Sequence, residues 1–153
     1  MHIEPYDHSH LSQLATLINA HFGVVIPSWS LPEDYIEKHL YRNPGEYVID
    51  PWVIERRTLC VIKEKRVVAA AHLLRYGTGE DISEHYQNIG DIAWLLAWPD
   101  EEVAAMQLLQ ACHTQMREWG VSQTIIWDSL LPFPTCSGLP PQWPHITGLF
   151  EQA

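Results

Sequence analysis

The sequence predicts an α/β fold in which a mixed central sheet is flanked by helices. Three stretches lead to that class. "GDIAWLLAWP" followed by "DEEVAAMQLLQACHTQMREWG" and "SQTIIWDSL" reads as strand, crossover helix and strand, and that order gives a parallel pair. "TLCVIKEKRVVAAAHLLRYG" reads as an antiparallel hairpin beside it. "HIEPY" followed by "DHSHLSQLATLINAHFG" reads as a first strand leading into a helix.

Each element has a local cause. In the first helix Leu11, Leu14, Ile18 and Phe22 recur at helical spacing, with Asp7 or Ser9 placed to cap the start and Gly23 the end. A proline-punctuated loop follows. A short second helix then starts near Pro32, carries acids in its first turn and ends before Pro44. The hairpin turn is the polar "KEKR", without the usual Asn-Gly. "GTGEDISEHYQN" is a polar loop. The apolar run from residue 90 to 99 is long enough to be buried on both faces. In the helix after it, Val103, Met106, Leu109 (with Leu108), Cys112 and Met116 form an apolar stripe that stops at Gly120. "LPFPTCSGLPPQWP" is a rigid loop with five prolines, and "HITGLFEQA" begins a last helix.

Composition narrows the function classes. The 153 residues are enough for one domain with a substantial core, and 46% of them are hydrophobic. No apolar run reaches 18 residues, and "MHIEPYDHSH" lacks the basic and apolar regions of a secretory signal. Cys60, Cys112 and Cys136 form no CxxC pair and fit reduced thiols, so a cytoplasmic location is expected. A formal net charge of −10 argues against nucleic acid or an anionic membrane as partner and is compatible with an amine substrate. Trp29, Trp52 and Trp143 stand in proline-rich stretches, where they either cap the core or line a cleft.

The order of elements resembles that of the GCN5-related N-acetyltransferases, the GNAT superfamily, over nearly the whole chain. "HIEPYDHSHLSQLATLIN" is similar to the family's first strand and helix, and "TLCVIKEKRVVAAAHLL" to its central hairpin. "GDIAWLLAWP" is similar to its fourth strand, and "LLQACHTQMREWGVSQTIIW" to its paired leucines, terminal glycine and fifth strand. The resemblance implies acetyl-CoA as co-substrate. Its pantetheine arm is expected on the backbone of Trp94, Leu95, Leu96, Ala97 and Trp98, and its pyrophosphate at the start of the next helix, where Ala104 and Ala105 permit close approach. It implies transfer of an acetyl group to the amine of a small molecule or peptide. Asp91, at the start of the fourth strand, and Asp128, at the end of the fifth, are the candidate proton acceptors.

Three departures from the family pattern give a second reading. The glycines of the phosphate loop are absent, and Asp100, Glu101 and Glu102 stand there instead; Asp100 is expected as the helix N-cap. Phe150 occupies the place where many members carry a proton-donating tyrosine. The family's last two strands lie beyond "FEQA". The fold is therefore expected to be C-terminally truncated, residues 1–153 being one domain of a longer chain, or completed by another copy in a homodimer. The alternative to an enzyme is thus a non-catalytic GNAT-like domain that supports a neighbour, binds a ligand or dimerises.

Other patterns carry less. His8 and His10 form an H-x-H pair that no further ligand spacing completes, so no metal site is expected. His72, on an apolar strand, reads as a core histidine. No G-x-S-x-G, Walker loop or G-x-G-x-x-G is present.

Overall fold

The computed structural model describes residues 1–41, 50–126 and 138–152. Among these residues five strands form one sheet in sequence order: β1 (His2–Pro5), β2 (Val53–Lys63), β3 (Arg66–Tyr76), β4 (Ile89–Ala97) and β5 (Gln123–Ile126). β1 through β4 pair antiparallel, and β4 and β5 pair parallel. The mixed sheet is the one expected. All nine residues of β4 are buried, which requires cover on both faces. The helices α1 (Leu11–Val25) and α2 (Glu33–Leu40) precede the hairpin, α3 (Glu102–Trp119) crosses from β4 to β5, and α4 (Pro144–Glu151) follows. α1 packs on β3 and β4, while α3 packs on β2, β3 and β4.

The boundaries differ from the sequence reading in instructive ways. Asp7 caps a single 3₁₀ turn, His8–His10, accepting from Ser9 N–H at 2.9 Å, and α1 proper starts at Leu11. Gly23 does not end α1. The helix runs to Val25, because the chain leaves it through an extended Ile26 whose N–H still reaches Phe22 O. Gly120 does end α3, at φ 65°, the left-handed conformation that costs glycine little. The hairpin turn is Glu64-Lys65, with both residues at positive φ (51° and 65°). Gln13 of α1 brackets that turn, accepting from Val67 N–H at 2.8 Å and donating to Lys65 O at 3.3 Å.

A bulge interrupts the β3–β4 ladder. His72 faces Trp94 but Leu73 faces Ile92, so Ala93 is the extra residue on β4. At the start of β4, Gly90 faces α3: a Cβ built there would lie 2.3 Å from Met116 Sδ and 3.1 Å from Val121 Cγ2. Gly90→Ala is expected to destabilise the fold by about 1–3 kcal/mol through overpacking. Urea unfolding measures this, and an unchanged midpoint would show that Met116 moves aside at no cost.

The H-x-H pair has a structural use. His8 Nδ1 lies 2.7 Å from Glu37 Oε1, and His10 Nε2 lies 3.0 Å from Glu4 Oε1. The Glu37 carboxylate raises the pKa of His8, and hydrogen bonding to His8 and Tyr6 lowers that of Glu37. The raised imidazole contributes below its ordinary pKa and stops contributing as pH rises through the raised value. The lowered carboxylate contributes above its ordinary value and stops as pH falls through the lowered one. The tie of α2 to the start of the chain is therefore expected to be strongest between the ordinary glutamate and histidine ranges. Amide exchange of α2 followed across pH should show protection falling on both sides, and a flat profile would refute the assignment.

Cys60 and Cys112 are buried and free, and burial pushes both thiols up to about 12. Neither should react with iodoacetamide at pH 8 until the protein unfolds. Peptide mapping after native labelling tests this, and modification at the rate of an exposed thiol would contradict the burial.

Candidate functional site

The candidate site forms where β4 ends. Trp98 N–H donates to Val68 O at 3.1 Å, across the β3 edge, and Ala97 O points to the opposite edge. By strand alternation the backbone of Leu95 faces that same edge. Among the described residues β5 pairs with β4 as far as Ile92↔Ile126. Trp94, Leu95, Leu96 and Ala97 lie beyond that pairing and are buried, and Trp98 is half-buried just past the strand. Trp94 stacks on His72, with ring centres 5.9 Å apart and planes 19° apart. His72 is a core residue, its Nδ1 2.8 Å from Thr58 Oγ1.

α3 starts without a side-chain cap. Asp100 is exposed and is not the N-cap; Glu101 holds that position and makes no capping hydrogen bond. Asp100 falls one residue short because Glu101 N–H folds back onto Trp98 O at 3.0 Å, so the helix begins only after that turn. The first helical bond runs from Ala105 N–H to Glu101 O at 2.9 Å, leaving the amides of Glu102, Val103 and Ala104 ahead of the ladder. The three acids are not a bare negative cluster. Glu101 accepts from Lys63 Nζ at 2.7 and 2.8 Å, and this hydrogen bond raises the pKa of the ammonium. A lysine at the end of β2 thus stands beside the helix start, a placement that depends on the hairpin register.

Below that helix start lies a notch of about 150 Å³ between α3 and α4. Ala105 and Met106 form one wall, and Gly148 and Leu149 form the other. A Cβ built at Gly148 meets no atom within 4 Å. Of the two alanines singled out from the sequence, Ala105 lines the notch and Ala104 is sealed in the core. Asp91 is fully buried on β4, between Leu74 of β3 and Ile125 of β5. Asp128 lies outside the described residues. Phe150 is half-buried against the core.

His145 is the contact that sequence reasoning missed. In the first turn of α4, its Nε2 lies 3.0 Å from Ala97 O and 3.1 Å from His21 Nε2. It forms a wall of the notch and also of a second cavity of about 450 Å³ on the α1 side. His21 sits seven residues after Leu14 on the buried stripe of α1, and an imidazole at a stripe position was the available signal. The tryptophan reading resolves in both directions. Trp143 is wholly buried and donates from Nε1 to His21 O at 2.9 Å, yet one side of it lines the larger cavity. Trp29 packs edge-on to Phe22, and Trp52 packs against Tyr86.

Among the described residues no group of three ligand-type side chains could hold a metal ion, and no helix is long and apolar enough to cross a membrane.

Solved acetyltransferases share this architecture. The chain is similar to a ribosomal-protein-alanine N-acetyltransferase from Brucella melitensis biovar Abortus 2308, at 15% identity, over 99% of this chain and 88% of that one, with a TM-score of 0.61. It is similar to the aminoglycoside antibiotic 6'-N-acetyltransferase of Acinetobacter haemolyticus, at 15% identity, over 86% and 81% of the two chains, with a TM-score of 0.56. A tetramutant of a Bacillus halodurans protein matches at 11% identity, over 99% and 91%, with a TM-score of 0.66. No family model matches the chain, and no curated protein matches it in sequence. At these identities the likeness defines the fold, and that fold is the acyl-CoA N-acyltransferase-like one. It is the GNAT architecture that the order of elements resembles.

Proposed function

We propose that the chain is a GNAT-type N-acetyltransferase that moves an acetyl group from acetyl-CoA to an amine. The observation that carries this reading is the uncapped start of α3 opening on the α3–α4 notch at the end of β4. The amides left ahead of the helical ladder and the positive end of the helix favour an anion there, and Lys63 offsets one of the three neighbouring acids, Glu101. The residues present fit the cofactor in this respect. Acetyl-CoA supplies the activated acetyl thioester. The backbone from Trp94 to Trp98 would hold the pantetheine arm, and the amides of Glu102, Val103 and Ala104, with the small side chains of Ala104 and Ala105 behind them, would hold the pyrophosphate.

The amine must lose a proton to attack. Asp91 and Asp128 are the proposed acceptors. Because Asp91 is fully buried, its part is played through a relay or after a local opening of β4. Phe150 has no proton to give the departing thiolate, which leaves that step to solvent or another donor. The acceptor is a small molecule or a peptide, and a cytoplasmic location fits the cysteine content. We also propose residues 1–153 as one GNAT-like domain.

One observation favours the non-catalytic alternative: His145 occupies Ala97 O on the edge where the cofactor's amides would pair. Isothermal titration of the complete protein with acetyl-CoA, and with pantetheine alongside, separates the readings. Micromolar binding that weakens when the pyrophosphate is absent supports the enzyme. No binding at millimolar acetyl-CoA would sink it.

A further inference from the structure

The larger cavity lies between the C-terminal half of α1, the residues just after β4 and the first turn of α4. Its volume of about 450 Å³ is in the range of ligand pockets. Its walls are aromatic, and three rings surround one imidazole. The ring centres of Trp143, His145 and Trp98 lie 5.4, 5.3 and 6.2 Å from that of His21.

The polar groups at its base do not balance. His21 Nδ1 is 2.8 Å from Leu17 O. A carbonyl only accepts, so Nδ1 carries the ring proton. Burial lowers the pKa of His21, which favours the neutral ring, and with the proton on Nδ1 that ring presents Nε2 as an acceptor. His145 Nε2 faces a second carbonyl, Ala97 O, at 3.0 Å, so its proton is directed there. That single N–H stands before two acceptors, Ala97 O and His21 Nε2. Among the described residues the base of the cavity is short of one donor hydrogen.

We propose that this cavity binds a planar aromatic compound bearing an N–H, with its ring against Trp98 and its hydrogen donated to His21 Nε2. His145 then gives its proton wholly to Ala97 O, and Ala97 O, His145 Nε2 and His21 Nε2 each have a partner. The inference does not depend on acetyl transfer, because it uses only the geometry of α1, α4 and the end of β4.

Indole and benzofuran test it. They share shape and apolar area, and only indole carries the N–H. Isothermal titration of the full chain is expected to show indole binding about tenfold more tightly, the worth of a buried hydrogen bond that is otherwise unmade. Val24 lines the mouth and is 58% exposed, so Val24→Trp should block the cavity without disturbing the fold. Loss of indole binding in V24W at an unchanged Tm is the expected result. Equal affinity for the two probes, no indole binding up to its solubility limit, or full binding by V24W would each overturn the proposal.

Discussion

Trp143→Ala is expected to cost about 3–5 kcal/mol of stability, the largest effect of any single change described above. The side chain is wholly buried. It meets Phe22 edge-on, with centres 5.3 Å apart and planes at 90°, and meets His21 at 5.4 Å and 81°. Its Nε1–H satisfies the carbonyl of His21. Removing the indole leaves a void and an unpaired acceptor in the same place. Trp143→Phe keeps most of the volume and loses the hydrogen bond, so it should cost less, about 1–3 kcal/mol. Guanidinium unfolding of both variants gives the comparison. A cost below about 1 kcal/mol for the alanine variant would mean that α4 adds little to the fold.

Gly148→Phe should act in the opposite sense on fold and function. Glycine in a helix interior is unfavourable, so replacing it should leave stability unchanged or raised by about 0.5 kcal/mol. The new ring would occupy the notch between α3 and α4, which holds only about 150 Å³. If that notch takes the cofactor's arm, acetyl-CoA affinity should fall on the order of a hundredfold. Gly148→Ala, whose added methyl meets nothing within 4 Å, should bind nearly as well as the parent. Equal affinity in the phenylalanine variant would place the cofactor elsewhere or remove it from consideration.

The fold was legible where burial imposes a period. β4 shows as an apolar run, because covering both faces leaves no polar alternation to misread. α3 shows as a stripe ended by a left-handed glycine. The start of β2 was not legible. Val53 to Arg57 carries Glu55, Arg56 and Arg57 and looks like loop, yet it is held by the ladder to β3 and by cross-strand pairs such as Glu55 with Arg75 at 2.5 Å. Gly23 misled because glycine permits a helix end without requiring one.

The candidate site divides along the same line. The strand-to-helix turn from Trp94 to Ala105 is local, and its position followed from sequence order. His21 and His145 are 124 positions apart, and only the docking of α4 brings them together. Nothing in either neighbourhood marks the other. Lys63 reaches Glu101 for a similar reason: the hairpin register, not the spacing along the chain, sets which end of β2 meets α3.

The sheet has its strands in the order in which the chain is made, and this has a consequence for synthesis. Each of β2, β3 and β4 can pair with its predecessor as it emerges, because every antiparallel neighbour is the previous strand. β5 must wait for α3. α4 comes later still, and Trp143 at its N-cap closes on His21 of the first helix, across 122 positions, and on Phe22 beside it. Until those residues emerge, the α1 surface that Trp143 covers stays open to water and to other nascent chains. A pause in translation just before Trp143 would therefore prolong a sticky intermediate, and a chaperone would find its target on α1.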